Sequence, residues 1–237
     1  MKTLNYLILL SLLAFTACGT ATEKTEKDSK NPYDLEIVND YQTYLEIVEQ
    51  DSNKKFVDLE EYLPDAVLDI RYATDNNFTG EVIYTEAKAF ARLPVAKALQ
   101  KVQSDLKEQG LTLKIFDAYR PYAATMRFYE VYPDTMYVAA PWHGSRHNRG
   151  CAVDVSLVDR ETGEEIPMPT PFDAFTEAAH PTYDDLAEEV IQNRQILIDV
   201  MNQHGFTVYP YEWWHYDYQG WEDYKLMDVS FGELTEN

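Results

Sequence analysis

The stretch SRHNRGCAVDVSL, residues 145–157, sets His147 and Asp154 seven positions apart, with Cys151 between them. A histidine offers an imidazole nitrogen and an aspartate a carboxylate oxygen. These are two of the donors a tetrahedral zinc site uses, and two positions remain to be filled. Taken alone, such a pair is more often a surface hydrogen bond. The second half of a site stands in YEWWHYDY, residues 211–218. There His215 can be a third donor and Glu212 a nearby base, the residue types that metal-assisted hydrolysis requires. Residues three apart on a regular strand face opposite sides. Bringing Glu212 and His215 together therefore needs a bend, and Pro210 suggests that the strand breaks before or around Glu212.

Five histidines occur in all. His204 precedes Gly205 at a helix end, where a capping role fits, and His180 precedes Pro181 in a turn. His143 lies four residues before His147 with Gly144 between them, and competes with it as a ligand. Cys151 alternates with Val153, Val155 and Leu157, which points it into the core as a small hydrophobe. A nucleophilic thiol would need an electropositive, partly open position instead.

Several elements must hold these residues. YQTYLEIVEQ reads as a short helix and KFVDL opens the sheet signals. AVLDIRY alternates, with Leu68, Ile70 and Tyr72 on one face and Val67, Asp69 and Arg71 on the other. Pro94 suits a first helical turn, and Val95, Leu99, Val102 and Leu106 then recur at helical spacing until Gly110. LTLKIFDAY is expected to be a strand, RPYAATMRFYEVY a helix opening at Pro121, and CAVDVSLV a strand. TGEEIPMPTPFDAF reads as a loop with room for a hairpin. Thr182 and Asp185 form a capping-box pattern before a helix predicted over 183–203, which Gly205 stops. FTVYPYEWWHYDY is expected to close the ordered part as one aromatic strand. Strands and helices mix without a regular βαβ alternation, which favours a single α+β domain.

The chain has 237 residues, 45% hydrophobic and 14% aromatic, enough for one domain with a sizeable core. Its formal net charge of -21 argues against nucleic acid, whose phosphates such a surface repels. The opening MKTLNYLILLSLLAFTACGT has a basic start, an apolar run from Leu7 to Phe15 too short to span a bilayer, and small residues before Cys18. This resembles a bacterial lipoprotein signal, residues 1–18, with Cys18 as the lipidated residue. Residues 19–32 are polar and aperiodic and read as a flexible tether, leaving 33–237 as the domain. The expected location is exported, lipid-anchored in the bacterial cell envelope, in the periplasm or on the cell surface. The anchor is the only membrane contact expected. With Cys18 lipidated, Cys151 has no partner for an internal disulfide.

The two half-sites also resemble a known family. SRHNRGCAVDVSL is similar to the Ser-x-His-x-x-Gly-x-Ala-x-Asp motif of zinc D,D-peptidases, and EWWH to their closing Glu-x-x-His. The stretches DIRYATDNNF, FDAYRP and MPTPFD narrow the likeness to the D-alanyl-D-alanine dipeptidases, over about residues 56–225. The resemblance implies a zinc D,D-peptidase (hedgehog-like) fold, with a central, mainly antiparallel sheet flanked by helices. It implies one zinc ion per chain on His147, Asp154 and His215, which sets His143 aside, and Glu212 as catalytic base. It implies Arg71 as the stabiliser of the oxyanion, with Ser145 and Asp173 near the substrate and Asp173 on its free amine. An ion pair with Asp69 is the plainer role for Arg71. The implied reaction is hydrolysis of D-Ala-D-Ala to free D-alanine. The alternatives are a D,D-carboxypeptidase or endopeptidase on peptidoglycan stem peptides, and a non-catalytic surface binding protein.

Overall fold

The computed structural model describes residues 31–235, so the expected signal, Cys18 and the tether up to residue 30 lie outside the described residues. Strand β1 (Ile37–Val38) leads into helix α1 (Tyr41–Gln50), β2 (Phe56–Asp58) and the short helix α2 (Leu59–Tyr62). Then come β3 (Val67–Leu68), β4 (Phe90–Arg92), α3 (Leu93–Glu108), β5 (Leu111–Asp117) and α4 (Tyr122–Val131). The second half holds β6 (Ala152–Asp159), α5 (Glu188–Gln203), β7 (Phe206–Tyr209), β8 (Glu212–Tyr218), β9 (Leu226–Met227) and α6 (Phe231–Thr235). The main sheet runs β3-β5-β6-β8-β7. Only β3 and β5 are parallel; the other neighbours are antiparallel. Helix α3 packs on β5, α5 on β7, and the two helices touch each other. The architecture is α+β, with the mainly antiparallel sheet expected from the sequence.

Local chemistry explains most of the elements. The Asp40 carboxylate accepts the Thr43 N–H at 2.8 Å and caps α1. Pro94 occupies the first turn of α3, and Val95, Leu99, Val102 and Leu106 are buried along its inner face. Burying each such side chain is worth about 1.5–3 kcal/mol. Alternation on β6 sends Asp154 and Ser156 to the face opposite Val153, Val155 and Leu157, yet every residue from Ala152 to Val158 is buried, so both faces are covered.

Three expectations need correction. The alternating stretch 66–72 is a strand only at Val67–Leu68, because Arg71–Ala73 form a 3-10 turn. There the Tyr72 carbonyl accepts the N–H groups of Ile83 and Tyr84, at 2.9 and 2.8 Å, which ties it to a loop and not to the sheet. Helix α5 starts at Glu188, not near 183, because the Tyr183 carbonyl accepts the Arg194 guanidinium at 2.6 Å. The aromatic segment is a hairpin, β7 and β8, turning at Pro210 and Tyr211, and β9 and α6 follow it.

Two interruptions of the ladder fall next to the proposed donors. Between β5 and β6 the pairing passes from Ile115–Val155 to Asp117–Asp154, leaving Phe116 over. Between β7 and β8 it passes from Val208–Tyr216 to Tyr209–Glu212, leaving Trp213, Trp214 and His215 between pairs. Such bulges re-aim side chains. The small pairs β1–β9 (parallel) and β2–β4 (antiparallel) complete the fold. Tyr44 of α1 accepts the Phe56 N–H at 2.8 Å and so ties α1 to β2.

Candidate active site

Three elements bring the donors together. His147 lies in a 3-10 turn that Gly150 ends at φ +69°, and a Cβ on Gly150 would overlap the Phe56 ring. Only glycine suits that position. Asp154 follows on β6, and His215 on β8 is paired with it. His147 Nε2 lies 3.1 Å from His215 Nδ1 and 3.3 Å from Asp154 Oδ1; His215 Nδ1 lies 3.0 Å from the same oxygen. Among the described residues these three form the group able to hold a metal ion. His143 is exposed and outside the group.

The outer hydrogen bonds decide which ring nitrogens face inward. His147 Nδ1 stands 2.6 Å from the Ala118 carbonyl, which can only accept, so Nδ1 carries the proton and Nε2 a lone pair. His215 Nε2 stands 3.0 Å from Asp217 Oδ1, which likewise leaves Nδ1 with a lone pair in the neutral ring. Three acceptors thus converge, and convergent acceptors need a cation among them. Until a metal ion takes that place a proton can: burial alone would lower the His215 pKa, but the Asp217 and Asp154 carboxylates outweigh it and push it up to about 10. Burial also opposes ionisation of Asp154, yet His147 and His215 hold its carboxyl well below the usual range. Zinc fits the donor set: two nitrogens and one oxygen at about 2.0–2.1 Å from a tetrahedral ion sit about 3.3 Å apart.

Around the donors lies a cleft. Glu212 Oε2 is 3.9 Å from His215 Nδ1, a neighbourhood made possible by the β7–β8 bulge. The bend lies at 213–215, after Glu212. Burial lifts the Glu212 pKa well above the ordinary range; His215 pulls it back in part, and the Asp154 and Asp173 carboxylates lift it further. A carboxylate raised in this way suits a base that works near neutral pH.

Ser145 is buried in the cleft wall, where its hydroxyl accepts the His147 N–H at 3.1 Å and its own N–H donates to Asn148 Oδ1 at 2.7 Å. A Cβ on the preceding Gly144, φ +69°, would come within 2.6 Å of Leu226, so β9 backs this turn. Asp173 also faces the cleft, at φ +60°, and accepts the Tyr72 hydroxyl at 3.0 and 3.1 Å. Enclosure, and after it the Asp154 charge, raises its pKa well above the ordinary 3.8.

Arg71 is not in this cleft. Its Nε donates to Asp69 Oδ2 at 2.8 Å and its guanidinium lies over the Phe116 ring, so the plain ion pair is what the fold holds. The 3-10 turn that ends β3 carries Arg71 away and Tyr72 in. Arg120 occupies the cleft instead, with Nη2 at 3.8 Å from Asp154 Oδ2. Asp117 clamps its guanidinium through bonds of 3.0 and 2.8 Å, and itself accepts the Tyr84 hydroxyl at 2.9 Å. Sequence reasoning missed Arg120, Tyr72, Asp117 and Asp217. Arg120 stands in FDAYRP and Tyr72 in DIRYATDNNF, two of the stretches that carry the family resemblance, so the signal was present. Cys151 is buried, and burial pushes its thiol up to about 12, which suits packing and not nucleophilic chemistry.

The sequence profile of a family described as D-ala-D-ala dipeptidase matches residues 52–230. A D-alanyl-D-alanine dipeptidase of Escherichia coli K12 is 34% identical over 177 residues, 75% of this chain and 91% of that one. A D-alanyl-D-alanine dipeptidase of Enterococcus faecalis V583 is 32% identical, covering 77% and 96%. A third, from Enterococcus faecium, is 31% identical, covering 68% and 90%.

Proposed function

The chain belongs to the D-ala-D-ala dipeptidase family, and from that premise we propose that it hydrolyses D-Ala-D-Ala to two molecules of D-alanine, with one zinc ion on His147, Asp154 and His215. The observation that carries this reading is the convergence of three potential ligand atoms, two ring nitrogens and one carboxylate oxygen, within 3.0–3.3 Å, beside a carboxylate of raised pKa. Bound there, zinc supplies a Lewis acid and lowers the pKa of a water towards ~7. Glu212 takes the proton of the attacking water and passes it to the departing amine, so no covalent enzyme intermediate forms. Arg120, held by Asp117, faces the negative charge that develops on the carbonyl oxygen. Asp173 and the Tyr72 hydroxyl offer acceptors to the free ammonium group, and Ser145 fixes the turn that carries His147.

A dipeptidase needs a cleft that stops the chain at two residues. Tyr137 and Phe175, from two different loops, line this one and stack on each other with centroids 5.1 Å apart and planes at 17°. The deciding experiment measures zinc per chain and D-alanine release from D-Ala-D-Ala beside a stem pentapeptide. One zinc per chain with dipeptide cleavage alone supports the proposal. Pentapeptide cleavage moves the activity to the carboxypeptidases, and zinc without either activity leaves a binding protein.

Export and lipid attachment at Cys18 belong to the same proposal, supported by the apolar run and small residues before that cysteine. Among the described residues no helix is long and apolar enough to cross a membrane. Fatty-acid labelling that survives Cys18→Ala would remove the anchor from this reading.

A further inference from the structure

Two carboxylates flank the His215 imidazole, one at each ring nitrogen: Asp154 Oδ1 at 3.0 Å from Nδ1 and Asp217 Oδ1 at 3.0 Å from Nε2. To bind a metal ion the imidazole must be neutral, with a single N–H proton, and the two acceptors then compete for it. If Asp154 took it, Nδ1 would become a donor and could not face a metal ion. If Asp217 takes it, Nδ1 keeps the lone pair that meets His147 Nε2 and Asp154. Asp217 stands two residues beyond His215 on β8 and contacts the ring nitrogen that points away from the donor cluster, so it is not itself a ligand.

The surroundings hold Asp217 in this role. Its other oxygen lies 3.6 Å from Arg146 Nε, a buried nitrogen without a hydrogen-bond partner, and the Arg146 guanidinium rests over the Trp221 ring at 4.8 Å. The pair is therefore held by charge and packing, and the cation balances one carboxylate in a pocket that already contains Asp154, Asp173 and Glu212.

We propose that Asp217 is a positioning residue: by accepting the His215 Nε2–H it fixes the tautomer and ring orientation that expose Nδ1, and so sets how tightly the chain holds its metal ion. This inference rests on the metal site of the proposed function. Partners of this kind typically change metal affinity by roughly 10- to 100-fold when removed.

The test uses the full chain, stripped of metal and titrated with zinc against a competing chelator, with cobalt(II) absorption as a second readout of ligand geometry. Asp217→Ala is expected to weaken zinc binding by roughly 10- to 100-fold and to alter the cobalt spectrum, in a chain whose circular dichroism shows it still folded without metal. Asp217→Asn, whose amide oxygen still accepts the Nε2–H, is expected to recover most of the affinity. Should the alanine variant not fold, Asp217→Leu, close in shape to aspartate, replaces it. Zinc affinity of the alanine or leucine variant within about twofold of the parent, or an asparagine variant no better than alanine, would overturn the inference. A parent chain that takes up no zinc would overturn the metal site itself, a separate and recognisable failure.

Discussion

At residue scale, Arg71 and Arg120 carry opposite expectations. Arg120→Ala removes the cation that faces the reacting carbonyl and is expected to lower kcat by about 100- to 1000-fold while zinc stays bound. Arg71→Ala removes a partly exposed ion pair with Asp69, and such pairs contribute about 0–1 kcal/mol, so activity should stay within a few fold. Steady-state kinetics on both zinc-loaded variants checks the assignment, and equal losses would break it. The clustering of His147, Asp154 and His215 beside Glu212 was legible in the sequence because it involves two local segments that carry the family resemblance. The arginine was not, because which of two cations reaches Asp154 depends on a turn after Leu68 and on the Asp117 clamp.

Asp173 adds a pH signature. Its raised pKa means that the folded chain retains a proton the unfolded chain has released, so this group costs stability as pH rises above 3.8, until the folded carboxyl also ionises. Asp173→Asn removes that cost. It is expected to melt higher than the parent at about pH 7, with the gap closing towards about pH 4, while KM for the dipeptide rises. Melting curves at the two pH values test the sign, and a gap that widens on acidification would reverse it.

At the scale of elements, helices α1, α3 and α4 and strands β5 and β6 fall where the short segment 41–50, Pro94, Pro121 and the strand-like residue types of 111–119 and 151–158 predict them. The start of α5 and the end of β3 do not, because in each case one carbonyl is taken by a partner other than the expected backbone ladder: Tyr183 by the side chain of Arg194 within α5, and Tyr72 by the N–H groups of Ile83 and Tyr84 in a loop. The bulge at Phe116 was equally hidden, since a ladder shift depends on the partner strand, and the one at 213–215 was foreseen only as a bend before or around Glu212. Gly150→Ala tests the turn between His147 and β6. The left-handed backbone alone costs about 1–2 kcal/mol, and the added methyl would meet Phe56. The expected result is a lower denaturant midpoint together with weaker zinc binding. Unchanged zinc affinity in a destabilised variant would show that the turn supports the fold without setting the site.

For the whole molecule, metal and fold are coupled. Zinc at about 100 times its Kd stabilises the folded chain by about 2.7 kcal/mol. For a domain of this size, chelation should therefore lower Tm by roughly 5–10 °C, and calorimetry with and without chelator measures it. An unchanged Tm would mean that the folded chain holds no ion at this site. The net charge of -21 and the class of architecture were readable from composition and element order. The stacking of Tyr137 and Phe175 in the cleft wall was not, since those loops carry no periodic pattern.

The family profile starts at residue 52, yet β1 and α1 lie before it. Tyr44 in α1 steadies Phe56, the ring beneath Gly150, while β1 pairs with β9, whose Leu226 backs Gly144. Both shoulders of the His147 turn thus lean on an N-terminal strap that the shared profile leaves out. The inherited border of this domain and its mechanical border do not coincide: a chain trimmed to the inherited one would keep every proposed ligand, and Phe56 and Leu226 with them, but lose the α1 and β1 contacts that brace those two.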